Sequence, residues 1–97
     1  MVTSEQVRAA RALIRWEQKD LAAASAVSLP SIKRLETIPG PLAAQVRTVD
    51  AIRRALETAG VEFIAENGGG AGVRLRKRSV GQDEGMRPDE LDATNND

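Results

Sequence analysis

Apolar residues recur at spacings of three and four along the first sixty positions, and this pattern constrains the fold more than any other feature of the sequence. Such spacing places apolar side chains along one face of an α-helix. Short breaks divide the pattern, and it ends at Gly60, a residue suited to the left-handed position after a helix. We therefore predict four helices. The first begins at the Thr3 capping box, the second covers residues 18–25, the third is capped by Ser28, and the fourth covers about residues 42–59.

After Gly60 the period changes to the alternation typical of β-strands. Residues 61–65 and 73–76 predict two strands joined by a glycine-rich turn, and hence a C-terminal β-hairpin. Because an isolated two-stranded hairpin is marginally stable, we predict that residues 61–78 pair with a second copy of the chain. The dimerisation residues would be Phe63, Ile64, Val73 and Leu75. The basic run 74–78 has two other interpretations, a solvated edge strand protected by its charge and a contact to phosphate.

The composition narrows the classes of function. The 97 residues include no cysteine, histidine or tyrosine, which excludes a disulfide framework and a thiolate metal site and removes the commonest general base. We expect no enzyme, no cofactor and no bound metal. Trp16 and Phe63 are the only aromatic residues, so the core should be aliphatic. No apolar run approaches the roughly 18 residues that span a bilayer, so we expect a soluble, cytoplasmic protein without a membrane partner.

The net charge of zero conceals a division of the chain. Residues 1–78 carry 13 Lys/Arg and 8 Asp/Glu, a net charge of +5, whereas residues 79–97 carry one arginine and six acids, a net charge of −5. The acidic segment is polar and aperiodic, which is typical of disorder. We therefore predict a single basic domain at residues 3–78 and a disordered acidic tail at residues 79–97. A basic domain is typical of nucleic-acid-binding proteins.

The most informative stretch covers residues 18–36, where two short helical patterns are joined by a tight turn. Leu21, Ile32 and Leu35 supply apolar contacts between the two helices, and the small side chain of Ala22 lets them cross closely. This arrangement is typical of a helix-turn-helix. Because Ile32 and Leu35 anchor the second helix, its opposite side faces outward, and a helix of this width fits the major groove of B-DNA.

At these positions the chain resembles the repressor-type helix-turn-helix family of phage repressors, often called the Xre family. The similarity covers about residues 4–59 and four of the family's usual five helices. The residues that carry it are Arg11, Gln18, Leu21, Ala22, Val27, Ser28, Ile32, Leu35 and Glu36. The resemblance implies a mainly α fold, with a four-helix repressor-like domain that in this chain is followed by the short C-terminal β-hairpin.

The resemblance also implies a role for individual residues. Gln18, at the start of the second helix, matches a glutamine that contacts DNA, and the helix at residues 28–37 is implied to read the operator. Arg11 and Glu36 match a partly buried structural ion pair. The positions that match base contacts are Ser28, Leu29, Pro30, Ser31 and Lys33, and those that match phosphate contacts are Arg34 and Thr37.

The chain departs from the family pattern at three places. Glu17 stands where Ser or Thr usually caps the second helix. Ala26 occupies a turn position usually filled by glycine, so we expect either a strained left-handed residue or a different turn. The hairpin replaces the expected fifth helix, which bears on the dimer and not on the DNA-binding surface.

From these observations we expect a sequence-specific transcriptional regulator, a dimeric repressor that binds a palindromic operator in double-stranded DNA. A homodimer would place its two recognition helices in successive major grooves. Activation through contact with polymerase stays open. Two other functions also stay open, namely the antitoxin of a toxin–antitoxin pair and a protein-interaction module that keeps the fold without binding DNA.

Overall fold

A computed structural model describes residues 1–77, which form four helices followed by a two-stranded antiparallel hairpin. This confirms the prediction of a mainly helical domain with a C-terminal hairpin. Arg78 and the predicted acidic tail at residues 79–97 lie outside the described residues. The elements are α1 (Ser4–Ile14), α2 (Gln18–Ser25), α3 (Leu29–Thr37), α4 (Val46–Thr58), β1 (Val61–Ile64) and β2 (Gly72–Leu75).

Side chains cap the helices where the sequence predicts them. At the start of α1, the Thr3 hydroxyl accepts from the backbone N–H of Gln6 at 3.1 Å, and the Gln6 side chain accepts from the backbone N–H of Thr3 at 2.9 Å. At the start of α3, the Ser28 hydroxyl accepts from the backbone N–H of Ser31 at 3.3 Å. Each bond satisfies an N–H that has no partner inside the helix.

The start of α4 differs from the prediction. The helix begins at Val46 and not near Leu42, because Pro41 forms an antiparallel β-bridge with Thr3 at the N-terminus of the chain. The backbone N–H of Leu42 donates to the carbonyl of Val2 at 3.0 Å, and that of Ser4 donates to the carbonyl of Gly40 at 2.9 Å. Val46 is consequently 86% exposed instead of lying on the inward face of the helix.

The core is aliphatic, as the composition predicts. The residues with least exposure come from every helix and from β1, and the two aromatic side chains, Trp16 and Phe63, are only half-buried around its edge. Within residues 1–77, none of the helices combines the length and the apolar character that a membrane crossing requires. The buried apolar residues are Val2, Val7, Ala10, Leu21, Ile32, Leu35, Leu42, Ile52, Leu56 and Val61.

The hairpin packs on α1 and α4 of its own chain. Phe63 lies directly opposite Val73 in the antiparallel register, and both side chains pack against the core. Gln6 of α1 donates to the carbonyl of Gly72 at 3.0 Å. The hairpin is therefore stabilised by contacts with its own chain, whereas the sequence predicts that it is stabilised by pairing with a second copy. Of the predicted dimerisation residues, Ile64 is half-buried and Leu75 is 53% exposed.

The end of the hairpin is also tied to α4. The backbone N–H of Arg76 donates to the carbonyl of Gly60 at 2.8 Å, and its guanidinium donates to the carbonyl of Glu57 at 3.2 Å. The Glu57 carbonyl also accepts from the backbone N–H of Gly60, and a cation at this last turn of α4 is favoured by the helix dipole. The four helices and the hairpin therefore share a single core.

Candidate nucleic-acid interface

The connection between α2 and α3 is three residues long. Ser25 closes α2 by donating to the carbonyl of Leu21 at 2.7 Å, and its hydroxyl accepts from the backbone N–H of Val27 at 3.3 Å. Ala26 has a φ of 62° and a ψ of 21°, which is the left-handed conformation usually reserved for glycine. Of the two outcomes expected for Ala26, a strained left-handed residue or a different turn, the structure contains the strained left-handed residue. Val27 packs beneath the turn against the core.

Three residues of α3 face inward. Ile32 is 1% exposed, Leu35 is 2% exposed and Glu36 is 6% exposed. They hold the helix against the domain along one face only, so the opposite face meets solvent. We call this surface the α3 face. It comprises the exposed Ser28, Pro30, Lys33, Arg34 and Thr37 with the half-buried Leu29 and Ser31, which are seven of the eight predicted DNA contacts.

Two grooves flank the α3 face. On one side, Leu29 and Lys33 border a groove with Gln18, the eighth predicted contact, at the start of α2. On the other side, Ser31 and Arg34 border a groove with Gln45 at the start of α4. The α3 face thus lies between the N-terminal ends of two helices. Both ends carry partial positive charge from the helix dipole.

The cations of the α3 face have no ion-pair partner among residues 1–77, either at Lys33 or at Arg34. The contrast with α4 is direct, because Arg54 there pairs with Asp50 at 2.8 Å and Arg53 pairs with Asp50 and Glu57. Glu17 borders the same groove as Lys33 but is paired with Lys19 at 3.7 Å, so neither cation of α3 has a paired carboxylate among the described residues. An uncompensated cationic helix face is an electrostatic surface for an anionic partner.

Three hydroxyls on the α3 face, those of Ser28, Ser31 and Thr37, are already engaged in local hydrogen bonds. Ser28 caps the helix and also donates to the Ser31 hydroxyl at 2.9 Å. Thr37 donates to the carbonyl of Arg34 at 2.7 Å. These bonds stabilise the two ends of α3 and leave the long side chains between them free to meet a ligand.

A buried carboxylate ties α1, α2 and α3 together. Glu36, whose side chain is 3% exposed, accepts from Arg11 twice, at 2.7 Å from Nε and at 2.6 Å from Nη2. It also accepts from the Gln18 amide at 3.0 Å. Arg11 and Glu36 are therefore paired as the resemblance implies. Gln18 is held by Glu36 at the edge of the α3 face, which orients the start of α2 relative to α3.

The structure adds two residues to this surface that the sequence argument did not single out. Gln45 is the N-cap of α4 and borders the groove beside Arg34. Its role could not be inferred while α4 was predicted to begin near residue 42. Arg8 is exposed on α1 and borders a further groove with Gln18 and Thr37. The signal in the sequence was its position outside the apolar stripe of α1, which contains Val7 and Ala10. Both residues extend the polar rim of the α3 face.

No protein-family model matches the chain, and no curated protein is significantly similar to it. Among residues 1–77 there is likewise no group of three or more acidic side chains close enough together to hold a metal ion.

Proposed function

We propose that this protein is a sequence-specific DNA-binding regulator of transcription, a helix-turn-helix repressor that inserts α3 into the major groove. The observation that carries the proposal is the α3 face, a helix surface held clear of the core with its cations Lys33 and Arg34 uncompensated. The major groove of B-DNA is about 12 Å wide and admits one α-helix. The backbone phosphates supply the negative charge that this surface lacks.

In this proposal the position of each side chain determines whether it contacts a base or a phosphate. Lys33, Pro30 and Leu29 lie toward the N-terminal half of α3, the part that reaches base edges when a recognition helix enters the groove. Arg34 and Gln45 border the groove toward α4 and would contact phosphate. Phosphate contacts position a protein on the duplex, whereas base contacts specify the sequence.

One α3 reads too few base pairs to mark a unique genomic site, so the proposal includes a homodimer on a palindromic operator. Two recognition helices would sit about 34–36 Å apart, one turn of the duplex. Since Phe63 and Val73 pack in their own domain, the side chains of the hairpin left for a second copy are the exposed Leu75 and the half-buried Ile64. A dimer of this size would repress by occluding a promoter.

In the first step of the test, the full chain selects a duplex from a library of random sequences. Fluorescence anisotropy then measures the affinity of the chain and its variants for that duplex. We expect Lys33→Ala to weaken binding by about 1–3 kcal/mol, as for the loss of a base contact. We expect Arg34→Ala to weaken binding to all sequences alike and to reduce the salt slope by about 1. Arg54→Ala is the matched control, because Arg54 is also exposed but pairs with Asp50 on α4.

Wild-type affinity in both α3 variants, with an unchanged unfolding temperature, would contradict the proposal. Equal loss in the Arg54→Ala control would also contradict it, because the effect would then follow net charge and not the α3 face.

A further inference from the structure

The hydrogen-bonding groups along α3 limit which bases it can read, and the inference that follows rests on the function proposed above. Ser28 and Thr37 are engaged in local bonds, and Ser31 accepts from Ser28. The side chains near the start of α3 that make no local hydrogen bond are therefore Leu29, Pro30 and Lys33. They combine two apolar groups with one cation.

Adenine and cytosine both expose amino groups in the major groove, and these need an acceptor on the protein. A bidentate contact to adenine needs an Asn or Gln side chain, and a contact to cytosine needs a carboxylate. Residues 28–37 contain no Asn or Gln. The nearby Gln18 amide donates to Glu36, which is the only carboxylate of α3 and is buried against Arg11. The hydrogen bond to Glu36 occupies the amide nitrogen of Gln18 and leaves its Oε1 as an acceptor at the start of α2. Along α3 itself an amide is absent and the one carboxylate is buried, so this helix presents neither partner.

Guanine and thymine expose groups in the major groove that the side chains of α3 can contact. Guanine offers two acceptors, O6 and N7, to a cationic donor, and thymine offers its 5-methyl group to an apolar side chain. Pro30 is exposed in the first turn of α3. Leu29 and Lys33 are four positions apart and border the same groove, so one turn of helix separates an apolar group from a cation.

We infer that α3 recognises its half-site through guanine and thymine in the major groove, with Lys33 donating to guanine and Pro30 contacting the thymine methyl group. The half-site has these two bases on neighbouring steps, on either strand. Adenine and cytosine enter it as the paired partners of these bases and are not read directly by α3.

The experiment uses the full chain and modified versions of the duplex that it selects from random sequence. Uracil in place of thymine removes one methyl group, and we expect about fourfold weaker binding from the area lost at the contacted position. In place of guanine, 7-deazaguanine removes the N7 acceptor, and we expect at least about fivefold weaker binding there. In place of adenine, 7-deazaadenine should change the affinity by less than about twofold, because a base that is not contacted loses no bond.

The two side chains are assigned by crossing these duplexes with variants. The effect of uracil should disappear in Pro30→Ala, and the effect of 7-deazaguanine should disappear in Lys33→Met, which keeps the aliphatic stem. Arg54→Met, altered on the far helix, should show both effects unchanged. Additive losses in the crossed pairs would overturn the assignment, because independent contacts add and shared contacts do not.

An enriched sequence that tolerates uracil and 7-deazaguanine, or that loses affinity with 7-deazaadenine, would overturn this inference while leaving DNA binding established. The absence of any enriched sequence would overturn the proposed function, and this inference would fall with it.

Discussion

Among residues 1–77, Arg11 is the only cation that contacts the buried Glu36 carboxylate, and its replacement with methionine removes that contact. Glu36 then keeps a single side-chain hydrogen bond, the one from Gln18 at 3.0 Å. Breaking a buried ion pair by removing one partner costs about 3–5 kcal/mol, because the remaining charge is left without compensation. The Arg11 side chain is 18% exposed, which lets water approach the site, so we expect about 3 kcal/mol for this protein.

Thermal unfolding followed by circular dichroism measures this loss. For a domain of this size, each kcal/mol shifts the unfolding temperature by about 4–8 °C, so Arg11→Met should unfold about 12–24 °C below the wild type. Fluorescence of Trp16 gives a second probe, because Arg11 also donates to the Trp16 carbonyl at 3.1 Å. Arg54→Met is the control, since Arg54 is 74% exposed and an exposed ion pair contributes about 0–1 kcal/mol.

The double variant Arg11→Met with Glu36→Leu separates the charge effect from loss of packing. A buried ion pair replaced by apolar residues of similar volume is often neutral or stabilising, so the double variant should recover most of the lost stability. A loss below about 1 kcal/mol in Arg11→Met would show that the buried Glu36 carboxylate does not depend on Arg11, and so would a double variant no more stable than the single one.

The remaining predictions concern the turn, the acid response and the dimer. Ala26→Gly should stabilise the fold by about 0.5–1 kcal/mol, because glycine adopts the left-handed conformation without strain; an unchanged or lower unfolding temperature would argue against that conformation. The pKa of Glu5 is lowered from 4.5 by hydrogen bonds from its own backbone N–H and that of Gly40. Glu5 therefore contributes stability above pH 4.5, and this stability is lost as the pH falls through the lower pKa that Glu5 has in the folded state. The stability of Glu5→Gln should consequently approach that of the wild type at acid pH. A stability difference that stays constant with pH would contradict this. Leu75→Glu should convert a dimer to a monomer in analytical ultracentrifugation without lowering the unfolding temperature, since Leu75 is 53% exposed; an unchanged sedimentation coefficient would count against the hairpin as the dimer contact.

Local sequence patterns predict the elements of this fold well. The Thr3–Gln6 capping box, the Ser28 cap and the change of period after Gly60 all act between residues close in the chain, and each appears in the structure. The α3 face follows from the same local information. Once Ile32 and Leu35 face inward, the helical period determines which side chains point outward.

Contacts between distant positions explain what the sequence does not reveal. The bridge between Thr3 and Pro41 shortens α4 at its start, and nothing in the composition of residues 41–45 signals that pairing. The bond from Gln6 to Gly72 joins residues 66 positions apart and anchors the hairpin on its own domain. The sequence pattern indicates that the apolar face of the hairpin must pack against another surface. It does not indicate whether that surface belongs to the same chain or to a second copy.

Sequence-specific DNA binding by this protein can be tested by the ratio of two affinities at physiological salt. One is the affinity of the full chain for the duplex that it selects from random sequence, and the other is its affinity for a shuffled duplex of the same composition. A regulator that reads bases through α3 should bind the selected duplex at least about a thousandfold more tightly. Equal affinity for the two duplexes would contradict sequence-specific binding, because phosphate contacts alone do not distinguish sequences.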